Sequence, residues 1–182
     1  MTEQNWTIDN THSSVNFFVR HMMFSKVRGQ FTKWSSTVKL DEADLTKLSV
    51  EVVLDAASID TGVADRDNHL RSPDFFDVER FPEIRFVSRR VEQNDETHFK
   101  LIGDLTIKDV TREVVLEAED EGRGKDPWGN QRAGFNLRAT LNRKDFGLAW
   151  NQVLEAGGVL VGEAVELTIE LQLVQNANQQ VA

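Results

Sequence analysis

The chain has no cysteine among its 182 residues. This absence excludes disulfide bonds, thiolate nucleophiles and cysteine metal ligands. Long hydrophobic runs are also missing. The longest are three residues, such as Val52-Val53-Leu54, whereas a membrane-spanning helix needs about 20 and a signal-peptide core about 7–15. We therefore expect no stable membrane insertion, and we expect the chain as given to be cytoplasmic, or periplasmic if a signal peptide was removed.

Basic residues are few, because 21 Lys and Arg stand against 30 Asp and Glu, for a net charge of −9. An acidic surface repels phosphate backbones, so we expect no nucleic-acid partner. Hydrophobic residues nevertheless make up 40% of the chain, and phenylalanine alone occurs eleven times, which is enough to build a core. At this length we expect one domain over 1–182, with its core at about 6–174.

Apolar and polar residues alternate in segments such as 48–56, 99–107, 133–141 and 165–173. Alternation places one set of side chains on a buried face and the other in water, which is typical of antiparallel strands. The alternation changes parity near Thr32-Lys33, which predicts a β-bulge. About eight such strands predict an all-β fold, an eight-stranded antiparallel lipocalin-like barrel. A β-sandwich is the alternative.

Two segments interrupt the strand pattern. Residues 62–77 carry scattered apolar residues among charges, which predicts a short helical insertion, its first helix ending before Pro73. Residues 145–158 contain glycines together with Phe146 and Trp150, which predicts a loop with a helical turn.

Large apolar side chains on the inward strand faces have two interpretations, a filled core or the wall of a tunnel that holds a ligand. Gly29 and Gly103 share faces with large residues, so they would leave space inside, and this favours the tunnel. The predicted tunnel residues are Phe17, Val19, Gly29, Phe31, Trp34, Leu54, Leu70, Phe75, Phe76, Phe86, Gly103, Leu105, Phe135, Phe146 and Trp150.

Polar residues in the irregular segments are candidates for contacts with the polar end of a ligand: Arg66, His69, Arg143 and Asn151. Arginine and histidine can donate hydrogen bonds to a phosphate or quinone oxygen. Their alternative roles are helix capping and loop packing. Asp65 and His69 have helical spacing, but no further histidine lies at ligand spacing, so we predict no metal site. His12-Ser13 could suggest a hydrolase, but no G-x-S-x-G motif is present, so we predict no catalytic residue.

Several short motifs, taken in order, resemble those of the YceI-like, polyisoprenoid-binding family. They are His12–Phe17 with His21, Ser58–Gly62, Arg66–Leu70, Asp74–Asp77, Phe81–Phe86, Gly103–Ile107, Arg143–Leu148 and Trp150-Asn151. The resemblance implies a lipocalin-like barrel that binds an isoprenoid lipid such as a polyprenyl phosphate or a quinone-like amphiphile. It implies transport or sequestration without catalysis, no cofactor apart from a bound isoprenoid lipid, and a possible homodimer. The alternatives are a binder of another amphiphile such as a fatty amide, a hydrolase-like enzyme, and an interaction protein with a filled barrel.

Overall fold

A computed structural model describes residues 4–155 and 157–176 of the chain. Within these residues it has eleven strands and one α-helix, α1 (Ala64–Arg71). The strands are β1 (Gln4–Ile8), β2 (Ser14–His21), β3 (Ser25–Phe31), β4 (Trp34–Leu40), β5 (Ser49–Asp55), β6 (Ile59–Asp60), β7 (Glu83–Gln93), β8 (His98–Ile107), β9 (Val110–Lys125), β10 (Gln131–Asn142) and β11 (Val161–Gln175). Three short 3-10 turns occur at Leu45–Lys47, Ala56–Ser58 and Arg143–Phe146.

The sheet closes on itself through β1. Trp6 lies opposite Val38 of β4 on one side and opposite Gln175 of β11 on the other. The ring therefore contains eight antiparallel strands in the order β1, β4, β5, β7, β8, β9, β10 and β11. The sheet also extends from β11 outside this ring. Strand β2 pairs with the first part of β11, β3 pairs with β2, and the short β6 pairs with β3. The predicted eight-stranded antiparallel barrel is confirmed, and the sandwich alternative is wrong because the sheet is closed.

The β-bulge predicted near Thr32-Lys33 is instead a break in the chain's strand, which ends β3 at Phe31 and begins β4 at Trp34. Ser58 satisfies the backbone groups that the break leaves unpaired, since its carbonyl accepts from Thr32 N at 3.3 Å and its hydroxyl accepts from Lys33 N at 3.1 Å. The side chain of Asp55 accepts from Ala57 N at 3.0 Å and so caps the 3-10 turn that positions Ser58. The strand is therefore interrupted here with both the Thr32 and the Lys33 amides hydrogen-bonded.

Helix α1 lies in the predicted insertion and ends before Pro73, as expected. Its sequence is mostly polar and Leu70 is the one large apolar residue that it packs against the core, so burial of an apolar face contributes little to holding it in place. Instead, the buried Asp67 carboxylate accepts from Thr61 N at 2.9 Å, and Arg71 donates to the carbonyls of Ala57 at 2.8 Å and Ile59 at 3.0 Å. These charge-assisted hydrogen bonds fix the helix at one end of the barrel.

Inward-facing apolar residues from every ring strand and from β2, β3 and β6 form the core, in which the largest fully buried side chains are those of Leu40, Ile59, Phe99 and Leu173. Phe99 and Phe135 on neighbouring parts of the wall meet edge to face, with ring centroids 6.0 Å apart. Within the described part of the chain, no helix combines the length and the apolar character needed to cross a membrane.

Candidate ligand-binding cavity

The barrel encloses a cavity of about 360 Å³, within the size range of small-molecule binding sites. Valine, leucine, isoleucine, phenylalanine and tryptophan make up most of its lining. The filled-barrel interpretation is therefore wrong. Thirteen of the fifteen predicted tunnel residues line the cavity: Phe17, Val19, Phe31, Trp34, Leu54, Leu70, Phe75, Phe76, Phe86, Leu105, Phe135, Phe146 and Trp150.

The two predicted glycines do not line the cavity. A Cβ on Gly29 would overlap the ring of Phe17, which lies directly opposite it on β2. A Cβ on Gly103 would lie 2.5 Å from the Val87 carbonyl oxygen and 2.7 Å from the Phe86 ring. The prediction that these glycines leave space for a ligand is wrong, because a phenylalanine ring covers each of them.

Strand β11 supplies wall residues that the prediction left out. Its inward side chains alternate with polar ones along the strand, and the same alternation is visible in the sequence. This signal identifies the strand's inward face but not whether that face meets a cavity or other side chains. The β11 residues in the lining are Val161, Val165, Leu167, Ile169, Leu171 and Leu173.

Aromatic residues from the two irregular segments meet at one end of the cavity. The His69 ring packs edge to face against Phe75, with centroids 5.1 Å apart, and against Trp150, with centroids 4.7 Å apart. His69 Nε2 donates to the Asp74 carboxylate at 2.9 Å. The structure thus brings together residues 81 positions apart in sequence, His69 and Trp150, and His69 lines the cavity as part of this cluster.

Arg66 also lines the cavity. Its Nε donates to Thr61 Oγ1 at 2.7 Å and its Nη2 to the Thr61 carbonyl at 2.8 Å. Thr61 is itself held by Asp67. Nη1 has no hydrogen-bond partner within the described residues, so the guanidinium is oriented yet keeps donors for a ligand.

Arg143 lies in the cavity lining with only 4% of its surface exposed. It donates to four backbone carbonyls, those of Leu148, Trp150, Val161 and Gly162. Burial lowers the pKa of this guanidinium, and nearby Glu163 partly offsets the effect. Within the described chain no carboxylate lies at ion-pair distance, so Arg143 carries a positive charge at the cavity wall that is compensated mainly by carbonyl dipoles.

Asn151, predicted to contact the polar end of a ligand, is not among the residues that line the cavity. Its amide nitrogen donates to the Val161 carbonyl at 2.7 Å, and its Oδ1 accepts from Val161 N at 3.0 Å and Gln152 N at 2.9 Å. Both ends of the side chain are used to attach the loop to the start of β11.

Two cavity residues went unpredicted at the far end of β2, Arg20 and His21. Only their position at a strand end marked them in the sequence. Within the described residues, the polar side chains of the lining are donors, and no Asp or Glu is among them. They are Arg20, His21, Thr61, Arg66, His69 and Arg143.

The residues considered for a hydrolase or a metal site do not form one. His12 bonds the Asp9 carboxylate at 2.8 Å, while the Ser13 hydroxyl accepts from Gln172 N at 2.9 Å, so histidine and serine have different partners. His69 bonds Asp74, not Asp65. Across residues 4–155 and 157–176, no group of three or more His, Asp or Glu is arranged to hold a metal ion.

A closed antiparallel barrel with an apolar internal cavity and cationic polar groups defines the class of lipocalin-like barrels. Residues 6–173 match the model of the YceI-like domain, and the chain belongs to this family.

Relatives cover nearly the whole chain. A UPF0312 protein of Staphylococcus aureus strain MSSA476 is 39% identical over 163 residues, which are 89% of this chain and 92% of the relative. The crystal structure of Burkholderia cenocepacia BcnA superposes with a TM-score of 0.80 at 23% identity, covering 91% of this chain and 98% of BcnA. A polyisoprenoid binding domain from Saccharophagus degradans superposes with a TM-score of 0.68 at 13% identity, covering 95% and 99% of the two chains.

Proposed function

We propose that this protein binds an isoprenoid lipid in the barrel cavity and transports or sequesters it without catalysis. The observation that carries the proposal is the internal cavity with its almost wholly apolar lining. Family membership supports it, as does the name of the S. degradans neighbour, a polyisoprenoid binding domain.

The lining suits a hydrocarbon chain because it offers contact without competing polar groups. Each CH₂ that leaves water contributes ~0.8 kcal/mol before the cost of association is subtracted. A long chain therefore binds tightly through its apolar part alone. The polar groups then decide which way round the lipid lies and which head it carries.

The polar part of the lining favours a head that accepts hydrogen bonds. Arg66 and Arg143 are cations, and no carboxylate within the described lining competes for them. A phosphate or a quinone oxygen accepts from such donors, whereas an ammonium head would be repelled. The ligand class that fits is a polyprenyl phosphate or a quinone-like amphiphile.

Extraction of the purified protein with organic solvent, followed by mass spectrometry, tests the proposal. The expected result is a polyprenyl or quinone species at about one molecule per chain. Repeated extraction without any lipid, together with no uptake of added isoprenoid, would overturn the proposal. A fatty amide found at the same stoichiometry would contradict the isoprenoid as ligand but would still support the cavity as a lipid-binding site. Turnover of an ester or phosphate substrate that is lost in His12→Ala or His69→Ala would contradict a non-catalytic role.

A substitution that fills the cavity separates internal binding from surface binding. Leu105 lines the cavity and is only half-buried, so Leu105→Trp should lower lipid occupancy at least about tenfold. Val87 lies on the outer face of the adjacent strand β7 and is exposed, so Val87→Trp is the matched control and should retain full occupancy. Equal occupancy in both variants would place the lipid outside the cavity.

Location and assembly stay predictions. We propose a cytoplasmic location, or a periplasmic one if a leader was removed, and a homodimer. Light scattering of the purified protein tests the dimer, and a monomer at all concentrations would contradict it.

A further inference from the structure

The turn between β2 and β3 presents three consecutive large apolar side chains to solvent. Met22, Met23 and Phe24 are 38%, 64% and 77% exposed. We name these three residues the apolar tip. Both methionines have positive φ angles, 50° and 68°, a backbone region that L-residues rarely occupy. A turn that presents apolar side chains in this costly conformation indicates a surface kept for contact.

The loop before β11 supports the tip. Met22 N donates to the Leu160 carbonyl at 2.8 Å. The Met23 sulfur lies against Gly158, at a spot where any Cβ would overlap it. Val153, on the same loop, is also highly exposed. The apolar surface thus extends from the tip onto a second segment of chain.

The hairpin segment that carries the tip is basic, unlike the chain as a whole. Although the chain carries −9 overall, the segment 18–28 holds three cations and no Asp or Glu. They are Arg20, Lys26 and Arg28, all exposed. Two carboxylates lie nearby in the chain: Glu163 at the start of β11 is paired with Lys144 at 2.7 Å, and Glu155 on the loop before β11 is exposed. An apolar tip between cations matches the interface of an anionic bilayer, where apolar side chains enter the headgroup region and basic ones meet lipid phosphates.

The tip also adjoins the cavity. Arg20 and His21, which immediately precede it, line the cavity, as do Leu160 and Val161 on the supporting loop. A bilayer docked at the tip would therefore lie next to the cavity wall.

We propose that the apolar tip docks the barrel on an anionic lipid bilayer and that ligand passes between bilayer and cavity at this end. Docking is independent of what the cavity holds, whereas the passage of ligand rests on the proposed function. The second part deepens that function by naming the bilayer as the source or destination of the lipid.

Flotation with vesicles tests docking. Wild type should bind vesicles of phosphatidylglycerol and phosphatidylcholine, and bind pure phosphatidylcholine more weakly. The double variant Met23→Ser with Phe24→Ser should bind mixed vesicles about tenfold or more weakly, because it removes the apolar insertion. The double variant Lys26→Gln with Arg28→Gln should lose roughly fivefold per charge on mixed vesicles, and added salt should weaken wild type in the same way.

Trp128 supplies a matched control. It is 81% exposed in the β9–β10 turn, which the antiparallel register places at the opposite end of the barrel from the tip. Trp128→Ser should bind mixed vesicles as wild type does. An equal loss of vesicle binding in Trp128→Ser and in the tip variant would show that any exposed apolar side chain contributes, and it would overturn the assignment of docking to the tip.

Two further outcomes would overturn docking. One is no vesicle binding by wild type. The other is that wild type forms a dimer, that the tip variant does not, and that neither protein binds vesicles. This result would show that the tip contacts a second copy of the chain. Solvent extraction of the same proteins separates the two proposals. If a tip variant no longer floats but keeps full lipid occupancy, docking stands and the passage of ligand at this end is overturned. If wild type floats but yields no lipid on extraction and takes up no added lipid, only the proposed function is contradicted.

Discussion

At the residue scale, two phenylalanine rings limit the volume of the cavity. The Phe17 ring covers Gly29, and the Phe86 ring covers Gly103. Each glycine lets a ring lie close against the sheet backbone, where any side chain would push it into the cavity. The sequence therefore does not show whether a glycine on an inward strand face leaves space for a ligand, because a neighbouring side chain can fill that space.

Gly103→Ala should destabilise the fold. The new methyl group would lie 2.5 Å from the Val87 carbonyl oxygen, which cannot move without shifting the sheet, and 2.7 Å from the Phe86 ring. We expect a loss of about 1–3 kcal/mol in the free energy of unfolding, measured by urea denaturation. Gly124→Ala on β9 is the control, because nothing lies within 4 Å of its added Cβ, and it should change stability by less than about 0.5 kcal/mol. Equal effects in the two variants would contradict the close packing.

At the element scale, the segment between β10 and β11 is held to the barrel chiefly by two polar side chains. Arg143 connects the carbonyls of Leu148 and Trp150 with those at the start of β11. Asn151 fixes the middle of the segment to Val161. Because the segment carries Trp150, these bonds also position the aromatic cluster with His69.

Arg143→Met should loosen this segment, because four carbonyls lose their donor at a buried position. We expect a loss of about 2–4 kcal/mol in the free energy of unfolding and faster amide exchange over 148–162. Lys144→Gln is the neighbouring control. Its ion pair with Glu163 is half-exposed, so its removal should cost less than about 1 kcal/mol. Similar free energies of unfolding in both variants would contradict the role of Arg143 in holding this segment.

The strands could be predicted from the sequence because their period-two pattern is local. The end of α1 before Pro73 followed from the same kind of local signal, and the change of parity located the irregularity near Thr32-Lys33, although it predicted a bulge where the structure has a break. The role of Asn151 could not be predicted, because its partner Val161 lies ten residues away beyond a loop of unpredictable path. Arg20 and His21 were not predicted to line the cavity for a similar reason, because only the closed barrel shows which strand end meets the cavity.

At the scale of the whole molecule, an ion network joins distant parts of the chain at the end opposite the apolar tip. Arg132 donates to Asp9 at 2.7 Å and to Asp126 at 2.8 Å. The hydrogen bond from Arg132, followed by that from His12, lowers the pKa of Asp9. Partial burial alone would raise the pKa of Asp126, but hydrogen bonds from Arg132 and Asn130 outweigh it and lower that pKa as well.

These shifts predict how stability depends on pH. Because the pKa of Asp9 is lower in the folded chain than its ordinary value of about 3.9, its contribution is present above that value and is lost as pH falls through the folded pKa. Asp9→Asn should therefore lower Tm most at pH 6–7, and its difference from wild type should narrow steadily as pH falls below about 3.9. Glu96→Gln, at an exposed carboxylate, should shift Tm little at any pH. A constant difference between Asp9→Asn and wild type across this range would contradict the linkage.

Occupancy of the cavity should also be visible in the stability of the whole barrel. A ligand that binds only the folded chain raises the free energy of unfolding by RT ln(1 + [L]/Kd), about 2.7 kcal/mol at a free ligand concentration of 100 Kd. For a chain of this size each kcal/mol moves Tm by roughly 2–4 °C. Delipidated protein should therefore melt several degrees below protein reloaded with a polyprenyl phosphate, as scanning calorimetry would measure. Leu105→Trp should lose this rise because its indole occupies the ligand's space, whereas Val87→Trp should keep it. A rise of equal size in Leu105→Trp would mean that the lipid stabilises the protein from outside the barrel.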